Sequence, residues 1–295
     1  MSTYEPSTDG NKIASDLSST IKNKTILITG VSPSGLGAEF ALTISKHDPA
    51  LIILAGRDVG KAEQTASKIA EVAPSVETRI LQLDLASQKQ IREAAKEVVG
   101  YTESIDVLVN NAGIMAKSPY SQTPEGIEAQ FGANHVGHFL FTNLIMEKLI
   151  GPEKSGRTAR VVNVASDGYR FGPNGATYNP WRAYGQSKTA NLLFSRSLAI
   201  KLAKRGLISV SLHPGVILDT SLGSHLDANG FQGLVQTHVF ASFHDSITLA
   251  SNNGTYLEDN RVFEPEEVLS WGRDDVEAEK LWKLSEGLVG EKFSY

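Results

Sequence analysis

Short apolar runs rich in β-branched residues alternate along this chain with longer stretches in which apolar residues return every three or four positions. The runs fall at 25–29, 51–55, 77–83, 105–109, 160–164 and 208–212, with a weaker one at 254–257. Most are apolar at nearly every position, as expected of strands buried on both faces. Helical periodicity occupies 36–47, 59–73, 87–99, 124–150, 182–205 and 230–250, and a closing helix is predicted over 274–286, opened by Asp274 and Asp275. Acids in a first turn suit the positive end of a helix. Strand and helix in strict alternation predict a doubly wound α/β domain, with about seven parallel strands and helices on both faces. In such sheets ligands gather beyond the carboxyl ends of the strands. This single domain is expected to span residues 21–295. Residues 1–20 read as a polar arm, disordered or docked on the outside, and 171–181 (FGPNGATYNPW) as a long loop.

Composition narrows the partners. The net charge of −5 argues against nucleic acid, which normally selects a basic stripe. The absence of cysteine rules out disulfides, a thiol nucleophile and cysteine-ligated zinc. Glu5, Asp9 and Asp16 interrupt the start, so no secretory signal is expected. The longest apolar stretch, HFLFTNLIMEKLI, is broken by Thr142, Asn143 and Glu147 and falls short of the roughly 20 residues a membrane span requires. A cytoplasmic protein without a membrane span is the expectation.

The stretch TGVSPSGLG at 29–37 follows a strand and opens a helix. Gly30 and Gly35 have the spacing of a nucleoside-triphosphate loop, but Leu36 and Gly37 stand where that loop needs its Lys and Ser/Thr. Ser32 cannot be the serine of a hydrolase elbow, because Ser34 replaces the glycine required two positions later. Gly30, Gly35 and Gly37 fit a dinucleotide-binding turn with one residue too many, and on these residues alone a plain turn remains open. Farther on come NNAG at 110–113 and YGQSK at 184–188. Taken in order over residues 22–220, these motifs resemble the short-chain dehydrogenase/reductase family, a Rossmann-fold family. NHVGHF around Asn134 and the closing KLWKLSEGLVG are most similar to its retinol-dehydrogenase-like branch.

Tyr184 and Lys188 are four apart in a helical pattern and so share a helix face. The resemblance implies Tyr184 as general acid/base, tuned by Lys188, which would also hold the nicotinamide ribose. A neighbouring ammonium and an oxidised nicotinamide would both favour tyrosinate and lower the Tyr184 pKa. Ser166 would stabilise charge on the substrate oxygen, and Asn134 would hold a water in the proton relay. Asn111, Ala112 and Gly113 would line the cofactor cleft, and Asp84 and Leu85 the adenine. Gly30, Gly35, Leu36 and Gly37 would face the pyrophosphate in a bulged loop, with Ser32 or Ser34 reaching the adenosine phosphate. After the second strand Gly56 stands where an NAD enzyme places its acid. Arg57 follows and suits a 2′-phosphate, so NADP(H) is expected. Asp58 is read as a helix cap. After the sixth strand, Pro214, Gly215, Val216, Ile217 and Thr220 would flank the nicotinamide, again with one residue more than usual before the threonine.

His135 and His138 lack a third ligand at motif distance, and are read as packing or substrate-side residues rather than a metal site. The resemblance bounds the substrate by residues 166–184 and 214–250, where Tyr169, Phe171, Trp181, Phe231, Phe240 and Phe243 suggest an apolar or aromatic small molecule. It also implies a homodimer through the helices of 124–150 and 182–205. The expected activity is hydride transfer between NADP(H) and a carbonyl or alcohol. A non-catalytic NADP(H) sensor and a lyase or epimerase on the same fold are the alternatives.

Overall fold

The computed structural model describes residues 4–150, 156–171, 177–215 and 235–295. Eight strands form one sheet in the order β3-β2-β1-β4-β5-β6-β7-β8. They are β1 (Thr25–Thr29), β2 (Leu51–Gly56), β3 (Glu77–Gln82), β4 (Val107–Asn110), β5 (Ala159–Val164), β6 (Leu207–Leu212), β7 (Tyr256–Glu258) and β8 (Arg261–Val262). The first seven are parallel, as expected, and β8 adds an antiparallel edge through Leu257↔Val262. β4 starts later than its apolar run, because the Ile105 N–H bonds to the Lys148 carbonyl rather than to a strand.

The helices, in chain order, are α1 (Gly10–Asp16), α2 (Ser18–Ile21), α3 (Leu36–Ser45), α4 (Val59–Val72), α5 (Gln88–Val99), α6 (Ala129–Phe131), α7 (Gly137–Leu144), α8 (Met146–Leu149), α9 (Pro180–Leu202), α10 (Gln236–Phe243) and α11 (Asp275–Val289). Period-two alternation divides the strand side chains between two cores. Leu27, Ile53, Leu108 and Val161 face α5, α7, α9 and α11, while Ile26, Ile28, Ile52 and Val162 face α1, α3, α4 and α10. Every residue of β1 is buried.

Three features depart from the sequence reading. The polar segment 1–20 contains α1, whose Ile13 and Ala14 are fully buried in the core beside α3 and α10. The pattern at 124–150 is not one helix. A π turn (Gly132–Val136) separates α6 from α7, and the chain breaks again before α8. Finally, α11 lies across α7 and α9, the helices implied for a homodimer. Trp282 meets Phe139 edge-on at 5.0 Å and Phe194 at 6.2 Å, and the Tyr295 hydroxyl donates to Asn143 Oδ1 at 2.7 Å. No helix among the described residues is long and apolar enough to cross a membrane.

Candidate active site

The site forms where β1, β2, β4 and β5 end. Gly30 leaves β1 with φ +77°, and a Cβ there would stand 2.6 Å from the Ala112 Cα, so glycine is required both for the turn and for the close approach. Ser32 then accepts a hydrogen bond from Gly35 N–H at 3.1 Å. Pro33 occupies the second position of this turn and Ser34, at φ +60°, the third, the residue pattern of a type II turn. The extra residue is thus absorbed in a tight turn whose one bond does not need the missing Pro33 N–H. Gly35 caps α3 in an extended conformation. A Cβ on Gly37 would stand 2.5 Å from both Asn111 Nδ2 and the Gly30 carbonyl. Asn111 fixes that junction by donating from Nδ2 to the carbonyls of Thr29 at 2.8 Å and Gly30 at 3.1 Å.

A cavity of about 570 Å³ runs along these strand ends. Gly30, Ser32, Gly35 and Leu36 line one part, and Arg57, Asp84 and Leu85 another. Asn111, Ala112 and Gly113 form its middle, and Tyr184, Lys188 and Pro214 its far end. Ser34 and Gly37 do not line it: the first belongs to the turn, the second to helix–strand packing. Gly215 is also outside the lining and has φ +98°. Val216, Ile217, Thr220 and Phe231 lie outside the described residues. Arg57 is exposed beside the cavity, and so is Lys61, one helical turn on. Neither pairs with an acid among the described residues. Asp58 also lines the cavity, and it caps α4 by accepting from Lys61 N–H at 3.1 Å.

Asn179 caps α9 by accepting from the N–H groups of Trp181 and Arg182, with Pro180 in the first turn, and so fixes where Tyr184 emerges. Tyr184 and Ser166 are each 8% exposed, and Ser166 lies within hydrogen-bonding reach of the Tyr184 hydroxyl. Lys188, one turn on, donates from Nζ to the Val164 carbonyl at 2.8 Å and lies 5.6 Å from the Tyr184 ring centre. Burial pushes the Lys188 ammonium down to about 8. Without the cofactor, burial raises the Tyr184 pKa, the nearby Ser166 hydroxyl lowers it, and the Asp167 charge raises it further. The lowering expected from two cations needs the cofactor's charge as well as that of Lys188, whose ammonium stays charged while it donates to the Val164 carbonyl.

Asn134 sits in the π turn, fully buried. Its Oδ1 accepts from Ile114 N–H at 2.8 Å, and its Nδ2 donates to the Ile114 carbonyl and to Ser187 Oγ, both at 2.9 Å. It therefore clamps the loop after β4 to α9, and any bound water must use the second Oδ1 lone pair or the main chain.

The periodicity did not single out Thr29 and His138. His138 Nδ1 must donate to the Asn134 carbonyl at 3.0 Å, so its Nε2 accepts the Thr29 hydroxyl proton at 2.9 Å. Thr29 Oγ1 in turn accepts the N–H groups of Asn111 and Ala112, both at 3.0 Å. Burial holds His138 neutral by pushing its pKa to about 4, which this arrangement requires. His135 bonds Ser285 of α11 and serves packing, and no cluster of metal-ligating residues occurs among the described residues. Phe240 and Phe243 are also core residues, packed between α3 and α10, not cavity lining. Phe171 and Trp181 are about half exposed and meet edge-on at 6.4 Å near the start of α9.

The short-chain dehydrogenase family model matches residues 24–229. The chain belongs to the short-chain dehydrogenase/reductase family. Human retinol dehydrogenase 13 is 35% identical over 292 residues, covering 92% of this chain and 86% of its own, which places the protein on the retinol-dehydrogenase-like branch. Among solved structures, an uncharacterised protein from Mycobacterium paratuberculosis is 34% identical with a TM-score of 0.74, covering 96% of this chain and 98% of its own. The 3-ketoacyl-(acyl-carrier-protein) reductase of Brucella melitensis, complexed with NADH, is 26% identical with a TM-score of 0.54, covering 66% of this chain and 76% of its own. As a member of this family the protein is an oxidoreductase with a nicotinamide cofactor. Ser166 after β5 is brought together with Tyr184 and Lys188 of α9.

Proposed function

We propose that the protein transfers hydride between NADP(H) and the carbonyl or alcohol carbon of an apolar small molecule. The observation that carries this reading is that Tyr184 and Lys188, with Ser166 next to Tyr184, line the same cavity as the Gly30 turn. The residues fit a dinucleotide: the Gly30–Ala112 approach leaves no side chain in the cradle, the N-terminus of α3 opens beside it, and Arg57 and Lys61 supply positive charge after Gly56, which ends β2 in place of an acid. When bound, the nicotinamide supplies or accepts the hydride. In reduction, Tyr184 donates its phenolic proton to the substrate oxygen as negative charge develops there, and Ser166 donates a hydrogen bond to the same oxygen. In oxidation Tyr184 takes the proton back. Lys188, still mostly protonated at pH 7, keeps a positive charge near the phenol. Relatives named for retinol support an apolar substrate.

Loss of NADPH absorbance against a panel of aldehydes, ketones and quinones tests the activity. Tyr184→Phe should retain NADPH binding, read by fluorescence titration, and lose turnover by at least about 100-fold, the lower end of general acid–base contributions. Near-wild-type turnover in that variant would remove Tyr184 from the mechanism.

A further inference from the structure

The residue after Ser166 is an acid. The Ser166 hydroxyl donates to Asp167 Oδ1 at 3.1 Å and accepts from Gly168 N–H at 3.0 Å. It has one proton, and the same hydroxyl lies within reach of the Tyr184 oxygen. A hydroxyl that donates to the carboxylate cannot also donate to a tyrosinate, and it must turn from Asp167 to donate to a substrate oxygen. The loop is pressed onto the tyrosine: a Cβ on Gly168 would stand 3.1 Å from the Tyr184 ring. Asp167 is held in turn from the other side. Its N–H donates to His213 Nδ1 at 3.3 Å, and its Oδ1 is 4.0 Å from the same nitrogen.

We propose that Asp167 is a positioning residue of this site, which draws the Ser166 proton away from Tyr184 and sets a negative charge beside it, so that Tyr184 stays protonated and turnover is biased toward carbonyl reduction. The inference rests on the reading of Tyr184 as acid/base. Three groups of charges could oppose or share this effect. On α9, the Lys188 ammonium favours tyrosinate, but it donates to Val164 and is buried. After β6, burial lowers the His213 pKa, so the ring brings little positive charge near neutral pH. Around β7, Arg170 faces Glu258 at 3.8 Å and Asp259 adds a second acid, which leaves this side net negative. The Asp167 charge is also felt by Tyr169 and Tyr256. A protonated Tyr184 can deliver a proton to a carbonyl at neutral pH but cannot accept one from an alcohol until the pH rises.

The test compares wild type, Asp167→Asn, Asp167→Ala, Ser166→Ala and Ser166→Ala/Asp167→Ala. Tyr184 ionisation is read from tyrosinate absorbance in each background with and without Tyr184→Phe, a measurement that needs no turnover. Asp167→Ala should move the Tyr184 transition down by about one pH unit, which raises alcohol oxidation at pH 7 by up to about tenfold and brings the alkaline loss of carbonyl reduction to lower pH. Asp167→Asn removes the charge with little change of shape and should move it in the same direction. Without Ser166 the shift from Asp167→Ala should shrink. An unmoved or upward-moving Tyr184 transition would overturn the proposal, as would equal losses of oxidation and reduction at every pH. If no carbonyl is turned over but the absorbance transition still moves, the assigned activity fails while the Asp167 effect stands.

Discussion

Single side chains in this site work through what their neighbours leave free. Arg57 and Lys61 are exposed in the cavity lining and form no ion pair with a described acid, while Asp58, which lines the cavity with them, accepts the α4 cap bond. Reversing the charge should therefore act on cofactor choice more than on folding. Arg57→Asp is expected to lower kcat/KM for NADPH by about 100-fold or more relative to NADH, in line with the loss of a charge-assisted phosphate contact worth about 2–3 kcal/mol. An unchanged ratio would transfer the preference elsewhere. Motif spacing made Arg57, Tyr184 and Lys188 legible because each has a fixed place relative to a strand end or a helix turn. Lys61, Thr29 and His138 had no such signal. The Thr29–His138 hydrogen bond joins residues 109 apart, and only the packing of α7 against the end of β1 creates it.

Among the elements, strands and capped helices were the most readable and the termini the least. β1 begins and ends where its apolar run does, and α11 starts at the acids that suggested it. α1 and α2 escaped because they are too short for a convincing 3.6-residue period, and their few apolar residues are hidden in a polar composition. What α11 packs against was likewise invisible. Trp282, 3% exposed, fills the groove between Phe139 of α7 and Phe194 of α9, and Ser285 meets His135 of the π turn. Trp282→Ala should lower unfolding stability by about 3–5 kcal/mol, the usual cost of emptying a large aromatic site, as measured by denaturant titration. Loss of less than about 1 kcal/mol would mean that α11 is not an integral layer.

At the scale of the whole molecule, burial of histidine sets the response to acid. His135, His138 and His238 are fully buried, with pKa values pushed to about 3, 4 and 3 by loss of hydration. In the unfolded chain each titrates near 6.5. Between about pH 6.5 and 4 the unfolded chain binds protons that the folded one refuses. Stability should therefore be full above pH 6.5 and fall as pH drops through that window, by up to about 1.4 kcal/mol per histidine per pH unit. His238 is the best probe, because neither ring nitrogen has a hydrogen-bond partner among the described residues. His238→Leu should hold its stability at pH 7 and lose it less steeply toward pH 5 in thermal unfolding, and an unchanged slope would contradict this account.

The sequence by itself determined the α/β alternation, the parallel sheet, the glycine turn and the ordered catalytic motifs. Those depend on interactions within a few residues: side-chain period, caps, and the backbone freedom of Gly30. It also excluded the nucleoside-triphosphate and hydrolase readings, because each needs a particular neighbour that the chain lacks. Only the tertiary structure decided that the extra loop residue folds into the Ser32–Gly35 turn, that Ser34 and Gly37 stand back from the cavity, and that Phe240 and Phe243 belong to the core. It alone set the direction in which the chain's own groups move the Tyr184 pKa, which is upward. That sign depends on how deeply the phenol is buried and which carboxylate lies beside it, and both follow from the meeting of β5, β6 and α9 across long separations in the chain.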